Sequence, residues 1–66
     1  MVYVYLADGF EEIEALAPVD ILRRCGVEVQ TVGVTGKTVA GAHGICVEAD
    51  ILPEAVALDA AEMLDS

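Results

Sequence analysis

The sequence has few basic residues. Its 66 residues include three lysine or arginine residues and twelve aspartate or glutamate residues, which gives a formal net charge of −9 at pH 7. Nucleic-acid binding depends on lysine and arginine side chains that neutralise phosphates, and anionic membrane surfaces attract the same side chains. We therefore expect no nucleic-acid partner and no membrane partner.

Long apolar runs and cysteine are also scarce. No apolar stretch approaches the ~20 residues that a membrane-spanning helix requires. The N-terminus lacks the basic segment, apolar core and cleavage site of a secretory signal. Two cysteines, Cys25 and Cys46, do not make a disulfide framework, so the expected compartment is the reducing cytoplasm. Both cysteines are predicted to be small buried apolar residues.

Apolar residues, by contrast, are abundant and make up 56% of the chain. An average soluble domain contains about 45–50%, glycine included. A domain of this size buries only about 60% of the surface that its unfolded chain exposes. We therefore expect further protein to cover the apolar surface, either as the rest of a larger core or as a second copy of the chain in a homo-oligomer.

The order of the hydrophobic patterns predicts an α/β fold. Val2–Leu6 is an unbroken apolar run, which is typical of a parallel strand buried on both faces. Residues 11–25 begin with acidic and end with basic side chains, as the helix dipole favours, and Gly26 follows as the C-terminal glycine. Residues 27–34 are predicted to form a second strand. A strand, a helix and a strand in close succession predict a right-handed βαβ unit with parallel strands.

A short hairpin is predicted after the second strand. Its strands are residues 38–40 and 45–47, on either side of the glycine-containing turn at 41–44. One helical turn is expected at residues 53–56, and residues 57–64 are compatible with either helix or strand. The predicted fold class is α/β, consisting of a βαβ unit plus a β-hairpin.

The predicted helix is amphipathic and contains a proline. Pro18 removes a hydrogen bond to the carbonyl of Glu14, which predicts a kink near that residue. One broad apolar side is formed by Ile13, Leu16, Ala17, Val19, Ile21 and Leu22.

Several cofactor motifs are absent. The stretch at 36–38 (GKT) resembles the end of a phosphate-binding loop, but the earlier glycine that the motif requires is Thr31, and a hairpin follows instead of a helix. Gly9 alone does not supply the paired glycines of a dinucleotide site. His43 and the two cysteines are not at ligand-like spacings. We therefore expect no cofactor and no metal, with His43 as a polar residue at the tip of the hairpin.

Three carboxylates open the predicted helix. Glu11 and Glu12 are interpreted as complements to the helix dipole on a solvated face. Glu14 lies one turn further along, near the carboxyl end of the first strand, where open α/β sheets bind ligands. We expect Glu14 to be partly buried, with a raised pKa, and able to share a proton with a neighbouring group.

An ordered series of segments resembles the opening of ThiJ/PfpI family proteins, within the class I glutamine amidotransferase-like superfamily. The segments are residues 6–15 (LADGFEEIEA), 18–24 (PVDILRR), 26–29 (GVEV) and 42–50 (AHGICVEAD). The resemblance continues to about Leu64. It implies that residues 1–66 are the N-terminal part of a single ThiJ/PfpI domain. The fold implied is a partial flavodoxin-like or Rossmann-like parallel sheet, incomplete without the C-terminal part, so the missing C-terminal fragment is an expected partner. The implied parent is a cysteine-dependent hydrolase or deglycase-like protein that acts on small carbonyl-derived substrates, with chaperone and oxidative-stress roles.

By this resemblance, Glu14 is the glutamate that hydrogen-bonds a catalytic cysteine and tunes its thiolate. In the family that cysteine lies beyond residue 66, so the chain alone is expected to be catalytically incomplete. Neither Cys25 nor Cys46 occupies its position. Family members commonly form dimers through the first helix, which implies that Arg24 and His43 lie near an interface or an anion-binding position. The alternative is a non-catalytic, self-associating or chaperone-like half-domain.

Overall fold

The structure is a computed structural model that describes residues 1–57. Its elements in chain order are strand β1 (Val2–Leu6), helix α1 (Glu12–Arg24), strand β2 (Val29–Gly33), strand β3 (Thr38–Ala40) and strand β4 (Cys46–Glu48). Residues 53–57 are helical, which confirms the helical turn predicted there. Residues 57–64, for which the sequence was compatible with either helix or strand, lie outside the described residues from position 58 onward.

β1 and β2 form the predicted parallel pair. Val2 pairs with Val29 and Leu6 pairs with Gly33, and α1 connects the two strands. The βαβ prediction is therefore confirmed. β2 begins two residues later than predicted because the amide of Val27 donates to the carbonyl of Leu22 (3.0 Å) and so belongs to the end of the helix.

β3 and β4 form the predicted antiparallel hairpin. Thr38 pairs with Glu48 and Ala40 pairs with Cys46. The second strand begins one residue later than predicted. The burial expected for both cysteines is wrong, because both thiols are exposed. Cys25 lies at the C-terminal cap of α1, and Cys46 lies at the open start of β4.

The apolar side of α1 is divided between two surfaces. Val19 is buried against the sheet, whereas Ile13 is 83% and Ile21 is 59% exposed. The broad apolar side predicted for the helix is therefore buried only in part. Ile13, Ala17 and Ile21, at four-residue spacing, form an exposed strip that we call the outer stripe. The helix continues without interruption through Pro18.

The core of the described residues is small. The buried apolar side chains are Leu6, Val19, Val29, Val32, Val39 and Ala49. Burial of β1 on both faces was expected, but Leu6 is its single buried residue and Tyr5 remains 56% exposed. A strand needs a covering layer on each face to be buried on both. α1 provides one such layer.

Asp50 connects three parts of the chain. Its Oδ2 accepts a hydrogen bond from the amide of Thr31 (2.9 Å) and from Arg23, whose Nη2 also donates to the carbonyl of Val29 (2.9 Å). The backbone donor of Thr31 first, and then the Arg23 guanidinium, hold the pKa of Asp50 below its ordinary value. The end of α1, the middle of β2 and the segment after β4 are thereby tied together.

Candidate functional site

The hairpin turn is fastened beside the start of α1. After β1, Asp8 Oδ1 accepts a hydrogen bond from the amide of Ala40 (3.1 Å), and the amide of Gly9 donates to the carbonyl of Ala40 (2.8 Å). The amide of Ala42 donates to the carbonyl of Phe10 (2.8 Å). Gly9 has φ of 90°, a conformation that glycine adopts without strain. These bonds bring two segments that are distant in sequence to the carboxyl end of β1.

A cavity of about 300 Å³ lies between the two segments, and we call it the helix-start cavity. It is lined by Glu11, Glu12, Ile13, Glu14 and His43. Ligands of open α/β sheets bind beyond the carboxyl ends of the strands, and this cavity has that position. Three carboxylates and one imidazole give it the ionisable groups that proton transfer or cation binding requires.

Glu12 is the buried member of the site, with 6% of its surface exposed. Its Oε2 accepts hydrogen bonds from the amides of His43 (2.8 Å) and Ile45 (3.4 Å), and its Oε1 lies 2.9 Å from His43 Nδ1. The side-chain hydrogen bond with His43 is the largest cause that lowers the pKa of Glu12 to about 2, and backbone donors add to it. Together they outweigh desolvation, which acts in the opposite direction. The solvated face predicted for Glu12 is therefore wrong.

Gly41 leaves room for the Glu12 side chain. A Cβ atom at this position would overlap the carboxyl group of Glu12. The requirement for glycine is one of space here, since its φ is not positive. Glu12 is thus held by donors on one side and by a close backbone approach on the other.

Glu14 lines the same cavity, but its side chain is exposed. The partial burial expected for it is therefore wrong in the described residues. The physical reason is its place on the helix, because Glu12 and Val19 lie on the face toward the protein and Glu14 does not. The catalytic role implied for Glu14 by resemblance stays a prediction.

His43 lies in the exposed hairpin turn as predicted, with 72% of its side chain exposed. Its contact with Glu12 was not predicted, because the two residues are 31 positions apart in sequence. Arg24 is exposed in the last turn of α1, where its Nε pairs with Asp20 Oδ1 at 3.1 Å. The interface or anion-binding role of Arg24 and His43 stays a prediction.

A larger cavity, of about 530 Å³, lies near the amino ends of β1 and β2 and includes Met1, Val29 and Asp50 in its lining. Its main polar feature is the Arg23–Asp50 pair, which already holds the fold together. The position at the amino ends of the strands is not where open α/β sheets bind ligands. We therefore assign the functional site to the helix-start cavity.

Three residues of the helix-start cavity could bind a metal ion. Glu11, Glu12 and His43 each offer one ligand atom, and these atoms lie within 4.8 Å of one another. The spacing of histidine and cysteine in the sequence gave no sign of this group. Two features of the sequence could have indicated the group. One is a histidine in the turn after a predicted strand, and the other is a helix start rich in carboxylates.

Among residues 1–57, no helix is both long enough and apolar enough to cross a membrane.

Comparison with known proteins identifies relatives of the chain. The sequence model of the DJ-1/PfpI family matches residues 1–64. A Parkinson disease protein 7 homolog from Danio rerio is 50% identical over 34 residues, which cover 52% of this chain and 18% of the relative. The structure of oxidized DJ-1 from Toxoplasma gondii superposes with a TM-score of 0.79 and 45% identity, over 83% of this chain and 30% of the relative.

The structure of a DJ-1 superfamily protein from Salmonella typhimurium is also similar to that of the chain. It superposes with a TM-score of 0.74 and 42% identity, over 77% of this chain and 28% of the relative. The fold is therefore that of the DJ-1 structures. The chain spans less than a third of the length of these relatives.

Proposed function

The chain belongs to the DJ-1/PfpI family, and on that premise we propose that it is the N-terminal part of a cysteine-dependent hydrolase of the deglycase type. The substrates would be small carbonyl adducts, and the nucleophilic cysteine would come from a part of the protein outside residues 1–66. Cys25 and Cys46 are free, exposed thiols, which is compatible with a reducing cytoplasmic setting.

The observation that supports this proposal is the exposed carboxyl group of Glu14 on the wall of the helix-start cavity. Of the two glutamates at positions 12 and 14, Glu12 is occupied by the donors of the hairpin turn. Glu14 remains available to an incoming group at the carboxyl end of β1. A protonated carboxyl at this place donates a hydrogen bond to a thiolate, stabilises it and lowers the pKa of the cysteine.

The test compares the 66-residue chain with a longer protein that contains it and the downstream cysteine. We expect hydrolysis of methylglyoxal adducts by the longer protein and none by the chain alone. Glu14→Gln in the longer protein should lower kcat/KM by roughly tenfold or more, because each unit by which the cysteine pKa rises above the assay pH lowers the thiolate fraction about tenfold. Glu28→Gln, an exposed glutamate outside the helix-start cavity, is the control and should leave kcat/KM unchanged. Glu14-dependent hydrolysis by the chain alone would contradict the proposal.

A second candidate function is a self-associating, chaperone-like half-domain. It is favoured by the outer stripe and by an adjoining cavity of about 400 Å³ lined by Glu12, Ile13, Leu16, Ala17, Asp20 and Ile45. Exposed apolar patches of this kind are typical of protein–protein contacts.

Size-exclusion chromatography with light scattering tests this candidate. Association of the chain should be lost in Ile13→Gln/Ile21→Gln and retained in Val34→Gln, which removes an exposed apolar residue from a different part of the chain. A well-folded monomer of the unsubstituted chain counts against this function.

A further inference from the structure

The hydrogen bond between Glu12 and His43 brings together two atoms that both have lone pairs. Glu12 Oε1 and His43 Nδ1 are 2.9 Å apart. Imidazole nitrogen and carboxylate oxygen are both common ligands of divalent metal ions in proteins. A divalent cation between them would accept a lone pair from each atom.

The distances suit an ion between these two atoms. Two ligand atoms bound tetrahedrally to Zn²⁺ at 2.0–2.1 Å lie about 3.4 Å apart, so the pair needs to open by about half an ångström. The His43 ring is mostly exposed and has room to move. Glu11 contributes a third ligand atom within 4.8 Å of the other two, and its exposed side chain has the rotamer freedom to approach.

Glu12 is already oriented in the way that ligands of metal sites are. Its second oxygen, Oε2, is fixed by the amides of His43 and Ile45, which leaves Oε1 directed at the ring. Backbone donors behind a ligating carboxylate hold it in place and reduce the cost of ordering the site. The lining residues of the helix-start cavity include three glutamates and no lysine or arginine, so a cation also reduces the local negative charge.

We propose that Glu11, Glu12 and His43 bind a divalent transition-metal ion, with Zn²⁺ as the representative ion and water completing the coordination. One imidazole nitrogen and two carboxylate oxygens, each from a different side chain, suit an ion of borderline softness. Mg²⁺ and Ca²⁺ prefer six or more oxygen ligands and should bind more weakly.

The experiment titrates ZnCl₂ into the full chain by isothermal titration calorimetry. It is done in a Cys25→Ser/Cys46→Ser background, because exposed thiols bind zinc themselves. Glu11→Gln and His43→Gln remove one ligand each while keeping the His43 amide that holds Glu12. Each should weaken Zn²⁺ binding by at least about tenfold, since even the loss of a residue behind a ligand costs this much. Glu48→Gln, which removes the same charge from exposed β4, should leave the affinity unchanged.

Co²⁺ absorption spectra and far-UV circular dichroism complete the test. Co²⁺ bound at this site should give visible absorption bands that disappear in His43→Gln while the circular dichroism spectrum is retained. No Zn²⁺ binding, or equal binding by all folded variants, overturns the proposal. Tighter binding of MgCl₂ than of ZnCl₂ also overturns it. The readout is binding by the chain itself, so its outcome is independent of any hydrolytic activity.

Discussion

Glu12 is the residue whose environment differs most from what its local sequence indicates. A glutamate at the second position of a helix-start acidic cluster is ordinarily solvated, and it complements the helix dipole. Here the hairpin turn provides two amides and an imidazole as hydrogen-bond partners. The free energy of these hydrogen bonds exceeds the desolvation cost of burying the carboxylate. Nothing within a few residues of Glu12 encodes those donors, which is why local patterns did not predict its burial.

The lowered pKa of Glu12 predicts acid sensitivity. A carboxyl whose pKa is about 2 in the folded chain and ordinary when unfolded stabilises the fold above the unfolded value. This contribution is lost as the pH falls from roughly 5 towards 2. Thermal unfolding followed by circular dichroism should show a steeper fall in Tm over this range for the unsubstituted chain than for Glu12→Gln.

The control for acid sensitivity is Glu54→Gln, which removes an exposed carboxyl. Its Tm should follow that of the unsubstituted chain at every pH. Parallel curves for Glu12→Gln and the unsubstituted chain would show that the carboxylate of Glu12 does not stabilise the fold.

Gly41→Ala tests the close approach of the hairpin turn to Glu12. The added methyl group overlaps the Glu12 carboxyl, and overpacking of this kind costs about 1–3 kcal/mol of unfolding free energy. In a Glu12→Ala background the overlap is gone, so the same substitution should cost much less. Urea unfolding of the unsubstituted chain, the two single variants and the double variant gives the coupling energy between the two positions. If the two changes in unfolding free energy simply add, the contact is contradicted.

At the scale of the element, α1 shows what a hydrophobic pattern predicts and what it does not. The helix, its acidic start and the glycine after its end follow from the sequence to within a residue. Which apolar side chains become buried depends on where the sheet lies, and that is a tertiary property. Val19 therefore packs inward while Ile13, of similar hydrophobicity, remains exposed.

Two adjacent arginines at the end of α1 should contribute very differently to stability. Arg23 donates to the Val29 carbonyl and to Asp50, whereas Arg24 pairs with the exposed Asp20 one turn earlier. We expect Arg23→Ala to lower the unfolding free energy by about 1–3 kcal/mol, because it removes a part-buried hydrogen bond to the Val29 carbonyl and a charged donor to Asp50. Arg24→Ala should cost no more than about 0.5 kcal/mol. Urea denaturation measures both, and equal effects would contradict this distinction.

At the scale of the whole molecule, the sequence predicted the order and type of the elements and the parallel pairing, but not the functional constellation. Strands and helices arise from local periodicity, which a single sequence carries. Glu12 and His43 come into contact because backbone hydrogen bonds, such as that from the Gly9 amide to the Ala40 carbonyl, hold two loops together. The pattern of side chains in the sequence does not indicate these backbone bonds. The excess of apolar residues did predict exposed apolar surface, and the outer stripe is part of it.

Net charge and the outer stripe should have opposite effects on self-association. The charge of −9 makes copies of the chain repel each other, whereas the stripe favours contact. Raising the ionic strength from roughly 0.02 to 0.5 M shortens the range of the repulsion, so sedimentation velocity should detect more association at high salt. Association that weakens with added salt would indicate an interface held by ion pairs instead of apolar contacts.

The pairing of Val2 with Val29 also bears on how fast the chain folds. The paired residues Val2 and Val29 are 27 positions apart in sequence, whereas the paired residues Ala40 and Cys46 are six positions apart. The difference in loop-closure entropy is about 1.3 kcal/mol, or roughly tenfold in rate if closure limits each step. During synthesis β1 emerges well before its partner β2, so its apolar side chains need protection from aggregation until that partner is made.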